Sequence, residues 1–182
     1  MQSLIHLFNE VGMLAKTPRS GFAFLGTGQQ SVADHSHRMT FIAFVLSKLS
    51  DEKVDLSKLL MMCLLHDLPE ARTGDLNYVN KRYVNANEHQ VIKELESQNE
   101  IGSEIGGLMT EYIENKTPEA KIAHDADQIE LLLVLKELAD VGNPRAMEWY
   151  KGVEERVKSK SGKQLAELIR TTPSDGWWFL EK

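Results

Sequence analysis

Apolar residues recur every three to four positions along most of this chain, and no run alternates apolar and polar residues convincingly enough for a sheet. The pattern predicts an all-α protein. A first helix is expected from about Ser3 to Lys16, with Leu4, Leu7, Phe8 and Val11 on one face. Thr17 to Gly21 and Gly26 to Gly28 mark a loop. Ser31, with Asp34 three residues on, reads as a capping box that opens a second helix. Asp55 can cap a third, whose segment Leu59 to Leu65 is apolar all round and so belongs in the centre of a domain. Pro69 suits the first turn of a short helix, Gly74 to Asn80 is loop, and helices follow at about Asn85–Gln98 and Ser103–Asn115. Thr117 before Pro118 opens a long helix ending at Gly142, and Asn143 before Pro144 repeats the device for a helix to about Lys158. A last helix is expected near Gly162 to Thr171, ahead of a tail carrying Trp177, Trp178 and Phe179. That tail is read as a cap packed on the helices or a subunit contact, and a homo-oligomer, a dimer, is expected.

Four polar residues interrupt these apolar faces: His35, the adjacent pair His66 and Asp67, and Asp127. From His35, the residues Met39, Ile42, Leu46 and Leu49 follow at helical spacing, so His35 points inward. His37 falls about 200° round the helix from that stripe and belongs in solvent. His66 and Asp67 close the apolar third helix. Asp127 leads Leu131, Val134 and Leu138 along one stripe, which its neighbours His124 and Asp125 do not share. A hydrogen-bonded core histidine or a half-exposed ion pair would explain any one of these residues. It does not explain all four, because it must be invoked on three different helices. An unpaired buried carboxylate costs several kcal/mol, and metals or partner charges are the usual remedy. Two imidazoles with two carboxylates suit one divalent transition ion better than calcium.

Composition narrows the partners. The chain has 182 residues, 42% apolar and 26% charged, an ordinary globular composition long enough for one domain. A net charge of −6 argues against coating a nucleic-acid polymer, which needs a basic face, but is compatible with one mononucleotide. The single cysteine, Cys63, lies in the apolar third helix, so no disulfide framework is expected and a reducing compartment is implied. The N-terminus lacks the pattern of a signal peptide, and no run of apolar residues is long enough to span a membrane. A cytoplasmic location is expected.

The order His35, then Leu64-Leu65-His66-Asp67-Leu68, then Asp125-Ala126-Asp127-Gln128-Ile129-Glu130 resembles the HD-domain phosphohydrolases from about residue 10 to residue 140. Ser31 to Ser36, His66 to Glu70 and Thr73 to Leu76 are similar to the small HD-domain 5'-deoxynucleotidases, which remove phosphate from deoxynucleoside monophosphates. The resemblance implies a single HD domain over 1–182, with C-terminal helices and tail from about 143. It implies His35, His66, Asp67 and Asp127 as ligands of one divalent ion, from among Mn, Co, Mg, Fe, Ni and Zn. It further implies Glu70 as the group that activates water or transfers a proton, Asp75 as a sugar contact that supports catalysis, and Arg19 as the phosphate holder. Glu70 falls about 60° round a helix from Asp67, close enough to serve the same site without ligating. Phe22 stands where this family commonly carries tryptophan, which puts the exclusion of a 2'-hydroxyl in doubt. The segment Asn77 to Arg82 also departs from the family's proline-containing pattern. Two alternatives remain at this stage. One is an HD phosphohydrolase acting on a triphosphate, cyclic nucleotide or alarmone. The other is a nucleotide-binding module without catalysis, which would be expected to lack a ligand or Glu70.

Overall fold

A computed structural model describes residues 1–178, and every regular element among them is helical. The helices are α1 (Gln2–Met13), α2 (Phe22–Leu25), α3 (Val32–Leu49), α4 (Leu56–Leu65), α5 (Glu70–Thr73), α6 (Glu88–Glu96), α7 (Glu100–Glu114), α8 (Pro118–Asp140), α9 (Ala146–Glu154) and α10 (Lys160–Thr171). Short 3-10 turns lie at Asn80–Arg82 and Gly176–Trp178, and Pro18 pairs with Ser31 in an isolated antiparallel bridge. The caps explain most starts. Ser31 and Asp34 form the capping box of α3, Asp55 accepts from the Lys58 N–H at the start of α4, and Thr117 caps α8 ahead of Pro118.

Helix α8 is the axis of the fold: α3, α4, α7, α9 and α10 all pack on it. A core of Met39, Leu46, Leu59, Met62, Leu132 and Leu135 fills the space between α3, α4 and α8. A second core joins α1, α6 and α7 through Leu7, Leu95, Ile105 and Met109, with Leu65 and Leu68 at its edge. Each such fully buried side chain contributes about 1.5–3 kcal/mol. The apolar sequence of α4 led to the expectation that it would be the central buried helix, and the structure corrects this. Leu59, Met62, Cys63 and Leu65 are buried, but Met61 and Leu64 are 40% and 45% exposed. Ten residues meet fewer neighbours than the twenty-three of α8, and one side of α4 is left uncovered.

Other expectations also shift. On α1 only Leu7 is buried, and Phe8 and Val11 are exposed. Within the expected loops the chain forms α2 and the turn at Asn80–Arg82. Helix α7 starts at Glu100 rather than Ser103, and α9 starts at Ala146, with Arg145 at the N-cap position making no side-chain cap and Asn143 Oδ1 accepting from the Arg145 N–H. Asn143 also donates its amide to the Leu25 carbonyl at 2.9 Å and to Thr27 Oγ1 at 2.7 Å, tying the second loop to α8. Trp177 and Trp178 are exposed, with Trp177 edging an apolar cleft against Leu133, Leu165 and Leu168; Phe179 and Leu180 lie outside the described residues. No helix among the described residues is long and apolar enough to cross a membrane.

Candidate metal centre

The capping box sets the first turn of α3, and His35 follows it on the face turned to the core, fully buried. Its Nδ1 lies 2.6 Å from Glu130 Oε2 on α8. Glu130 is also fully buried, and its other oxygen accepts from Gln30 Nε2 at 2.6 Å and from Arg38 Nε at 2.9 Å. His66, at the C-cap of α4, places Nδ1 2.9 Å from the Cys63 carbonyl, an acceptor, so this nitrogen carries the proton. Each ring thus spends Nδ1 on the protein and turns Nε2 toward the same space. In that space His66 Nε2 is 3.1 Å from Asp67 Oδ2, and His35 Nε2 is 3.8 Å from the same oxygen. His35 Nε2 is also 3.2 Å from Asp127 Oδ1, but misaligned, so this buried nitrogen has no hydrogen-bond partner. Atoms of His35, His66 and Asp127 lie within 4.8 Å of one another. A buried imidazole nitrogen with no partner, facing carboxylates, is the arrangement a divalent ion satisfies; His35, His66 and Asp127 are grouped closely enough for one, and Asp67 stands beside both imidazoles but outside that group.

The cluster attracts positive charge. Burial opposes protonation of His35, yet the Asp127 and Glu130 carboxylates push it up to about 9. Burial likewise works against ionised Asp127, but His35, His66 and Arg19 hold it down at about 2; the same three side chains keep Asp67 well below the usual carboxylate range. Arg19 Nη1 lies 3.2 Å from Asp67 Oδ2, and the Pro18–Ser31 bridge fixes the loop that carries it. Glu70 opens α5, one turn beyond Asp67. Its Oε2 is buried and unpartnered, and burial, then Asp67 and Asp75, push its carboxyl up to about 9. Gly74, at φ 73°, turns the chain after α5 and delivers Asp75, whose Oδ2 accepts from the Ser20 N–H at 2.5 Å and from Ser20 Oγ at 3.1 Å.

Three points differ from expectation. Asp125 is 2% exposed, more buried than Asp127, whose side chain keeps 22% of its surface. Its carboxylate accepts from the Lys158 and Ser159 N–H groups at 2.8 and 2.7 Å, holding the segment that enters α10. His124, half-buried, stacks on Tyr112 at 4.1 Å, and its Nε2 lies 2.9 Å from the Tyr112 carbonyl. Phe22 packs its ring beside Gly28 and Leu138, lining a groove of about 460 Å³ with His37, Arg38 and Glu137 that none of the four cluster residues lines. Glu130 is the residue sequence reasoning passed over. Its signal was present, since it is the one charge inside the apolar run Ile129–Leu135 and follows Asp127 by three residues.

The chain matches the HD domain family over residues 11–169. It is 28% identical over 162 residues to the 5'-deoxynucleotidase HDDC2 of Danio rerio, covering 85% of this chain and 80% of that protein. It is 31% identical over 144 residues to the 5'-deoxynucleotidase HDDC2 of Dictyostelium discoideum, covering 73% and 76%. Among solved structures, the PH0347 protein of Pyrococcus horikoshii superposes with a TM-score of 0.77 at 28% identity, covering 92% of this chain and 96% of that one.

Proposed function

This chain belongs to the HD domain family, and we propose that it is a metal-dependent phosphomonoesterase that hydrolyses deoxynucleoside 5'-monophosphates to deoxynucleosides and phosphate. One observation carries the reading: His35 Nε2 is buried without a partner and faces Asp67 and Asp127 beside His66, with Arg19 and the unpaired Glu70 at the same cluster. The relatives named 5'-deoxynucleotidase supply the substrate class. His35, His66, Asp67 and Asp127 would hold the ion. When bound, a divalent cation supplies charge to the phosphoryl oxygens and acidifies water.

The remaining chemistry belongs to the side chains. Arg19 presents a guanidinium, fixed on Asp67, for the phosphate oxygens. Glu70 is the proton-transfer group for the reacting oxygens, and its burial gives it the raised proton affinity such a role needs. Asp75, anchored by Ser20, supports the sugar. Water adds to phosphorus, the bond to the 5'-oxygen breaks, and that oxygen leaves protonated as the nucleoside hydroxyl. We also infer a dimer in a cytoplasmic setting, with exposed Phe41, Phe44, Met61 and Leu64 on the packed pair α3 and α4 as the candidate contact; light scattering tests the dimer. Incubating chelator-stripped protein with mono-, tri- and cyclic nucleotides and Mn, Co, Mg, Fe, Ni or Zn tests the activity. Phosphate released from deoxynucleoside monophosphates only when an ion is restored supports the reading; turnover of triphosphates or cyclic nucleotides in their place contradicts it.

A further inference from the structure

The loop from Asn77 to Arg82 brings an aromatic side chain to the rim of the cluster. Asn77 anchors it: its amide donates to Ser20 Oγ at 3.2 Å, and its Oδ1 accepts from the Val79 and Asn80 N–H groups at 3.0 Å each. Ser20 in turn donates to Asp75. The next residue, Tyr78, lies 6.3 Å from the Phe24 ring and in a T-shaped contact 6.5 Å from Trp149. The Arg82 guanidinium stands over one face of Tyr78 at 5.1 Å. The residue is still 59% exposed, so much of the side chain is accessible from solvent.

The cluster of rings is close to the groups that would hold a phosphate. A methyl group on Gly21 would meet the Trp149 ring at 3.6 Å, and Gly21 is two residues from Arg19, at most about 7 Å of chain. On the other side of the loop, Lys81 is near enough for its charge to act on Glu70. Asn77 and the backbone bonds of the Asn80–Arg82 turn close the loop, and neither requires three rings and an arginine gathered at the surface. An exposed ring with a cation behind it is the platform on which a nucleobase stacks, and it accepts different bases because each has a π face.

We propose that Tyr78, backed by Arg82 and braced by Phe24 and Trp149, stacks the base of the nucleotide whose phosphate is held at Arg19. The proposal rests on the nucleotide reading above and adds the contact that distinguishes a nucleotide from a sugar phosphate. Asp75 and Ser20 lie between the two ends, where the sugar would be.

The test compares dAMP with 2-deoxyribose 5-phosphate, which has no base, in wild type, Tyr78→Ala and Tyr78→Phe. Tyr78→Ala is expected to lower kcat/KM for dAMP about 5- to 100-fold, chiefly through KM, the range for losing one stacked base. The base-free substrate should change less than about twofold, and Tyr78→Phe should keep the dAMP value. Equal losses on both substrates would reduce Tyr78 to a loop support, and an unchanged dAMP value would place the base elsewhere; either overturns the proposal. Should wild type release no phosphate from dAMP, the hydrolytic reading fails and binding decides the platform. With Trp177→Phe and Trp178→Phe, Trp149 is the remaining indole of the three in the chain. Quenching of its emission by dAMP but not by the sugar phosphate supports the platform, and no quenching with dAMP overturns it.

Discussion

Asp125 and Asp127 sit two residues apart on α8 and serve different surroundings. Asp125 is enclosed and spends both oxygens on the backbone that enters α10. Asp127 keeps part of its side chain exposed and faces a buried imidazole nitrogen that nothing else satisfies. Burial alone therefore does not mark the functional carboxylate. What marks it is an unmet demand beside it: a satisfied buried acid stabilises the fold, whereas an acid among unsatisfied donors is free to bind.

Breaking the contrast at its strong end should produce the largest effect. Asp127→Ala is expected to lose all measurable phosphatase turnover while remaining helical by circular dichroism. Asp125→Ala should keep turnover per folded molecule but lose about 2–3 kcal/mol of stability, since two N–H groups lose a charged acceptor, lowering Tm by roughly 4–10 °C. Thermal melts and assays on the pair separate the two roles.

Glu70→Ala comes next. It should retain the metal and bind nucleotide but turn over about 10²-fold or more slowly, the usual scale for a proton-transfer group. An unchanged rate would remove Glu70 from the chemistry.

Glu130→Ala sharpens the comparison from behind His35. With its Nδ1 partner gone, His35 loses its fixed orientation, and metal affinity should fall about 10- to 100-fold by titration. Glu130→Gln, whose one oxygen is held by Arg38 and Gln30, turns its amide N–H on His35 Nδ1 and favours the tautomer protonated at Nε2, so it should lose at least as much as Glu130→Ala.

The smallest effect is expected at Phe22. Gly28, at φ 80°, has no room for even a Cβ beside the Phe22 ring, so the wider indole of Phe22→Trp overpacks that contact by about 1–3 kcal/mol. The dAMP to AMP ratio of specificity constants should stay within about twofold, because the ring lines the groove with His37 and Arg38. A ratio raised tenfold by Phe22→Trp would return sugar selection to this position.

The parts legible in the sequence were those written locally. The capping box at Ser31 and Asp34, the Asp55 cap and the Thr117–Pro118 start of α8 each lie within a few residues of the helix they open, and each is present. The inward face of His35 followed from spacing on a helix that has one solvent side. The same logic failed on α8, because five helices pack on it and buried positions are spread over most of its circumference; Asp125 and Glu130 could not be sorted by offset. Glu130 meets His35 across ninety-five residues of sequence, and the rings of Phe24, Tyr78 and Trp149 come from three separate segments. Such pairings are made by packing and leave no local pattern.

The central claim is that Asp127, with His35, His66 and Asp67, holds one divalent ion while Asp125 holds the fold. Metal content per chain in wild type, Asp125→Ala and Asp127→Ala, each stripped with chelator, reloaded with Mn and desalted, tests it most directly. The account predicts one ion in wild type and in Asp125→Ala and essentially none in Asp127→Ala. Equal retention in the two variants, or loss confined to Asp125→Ala, would contradict it.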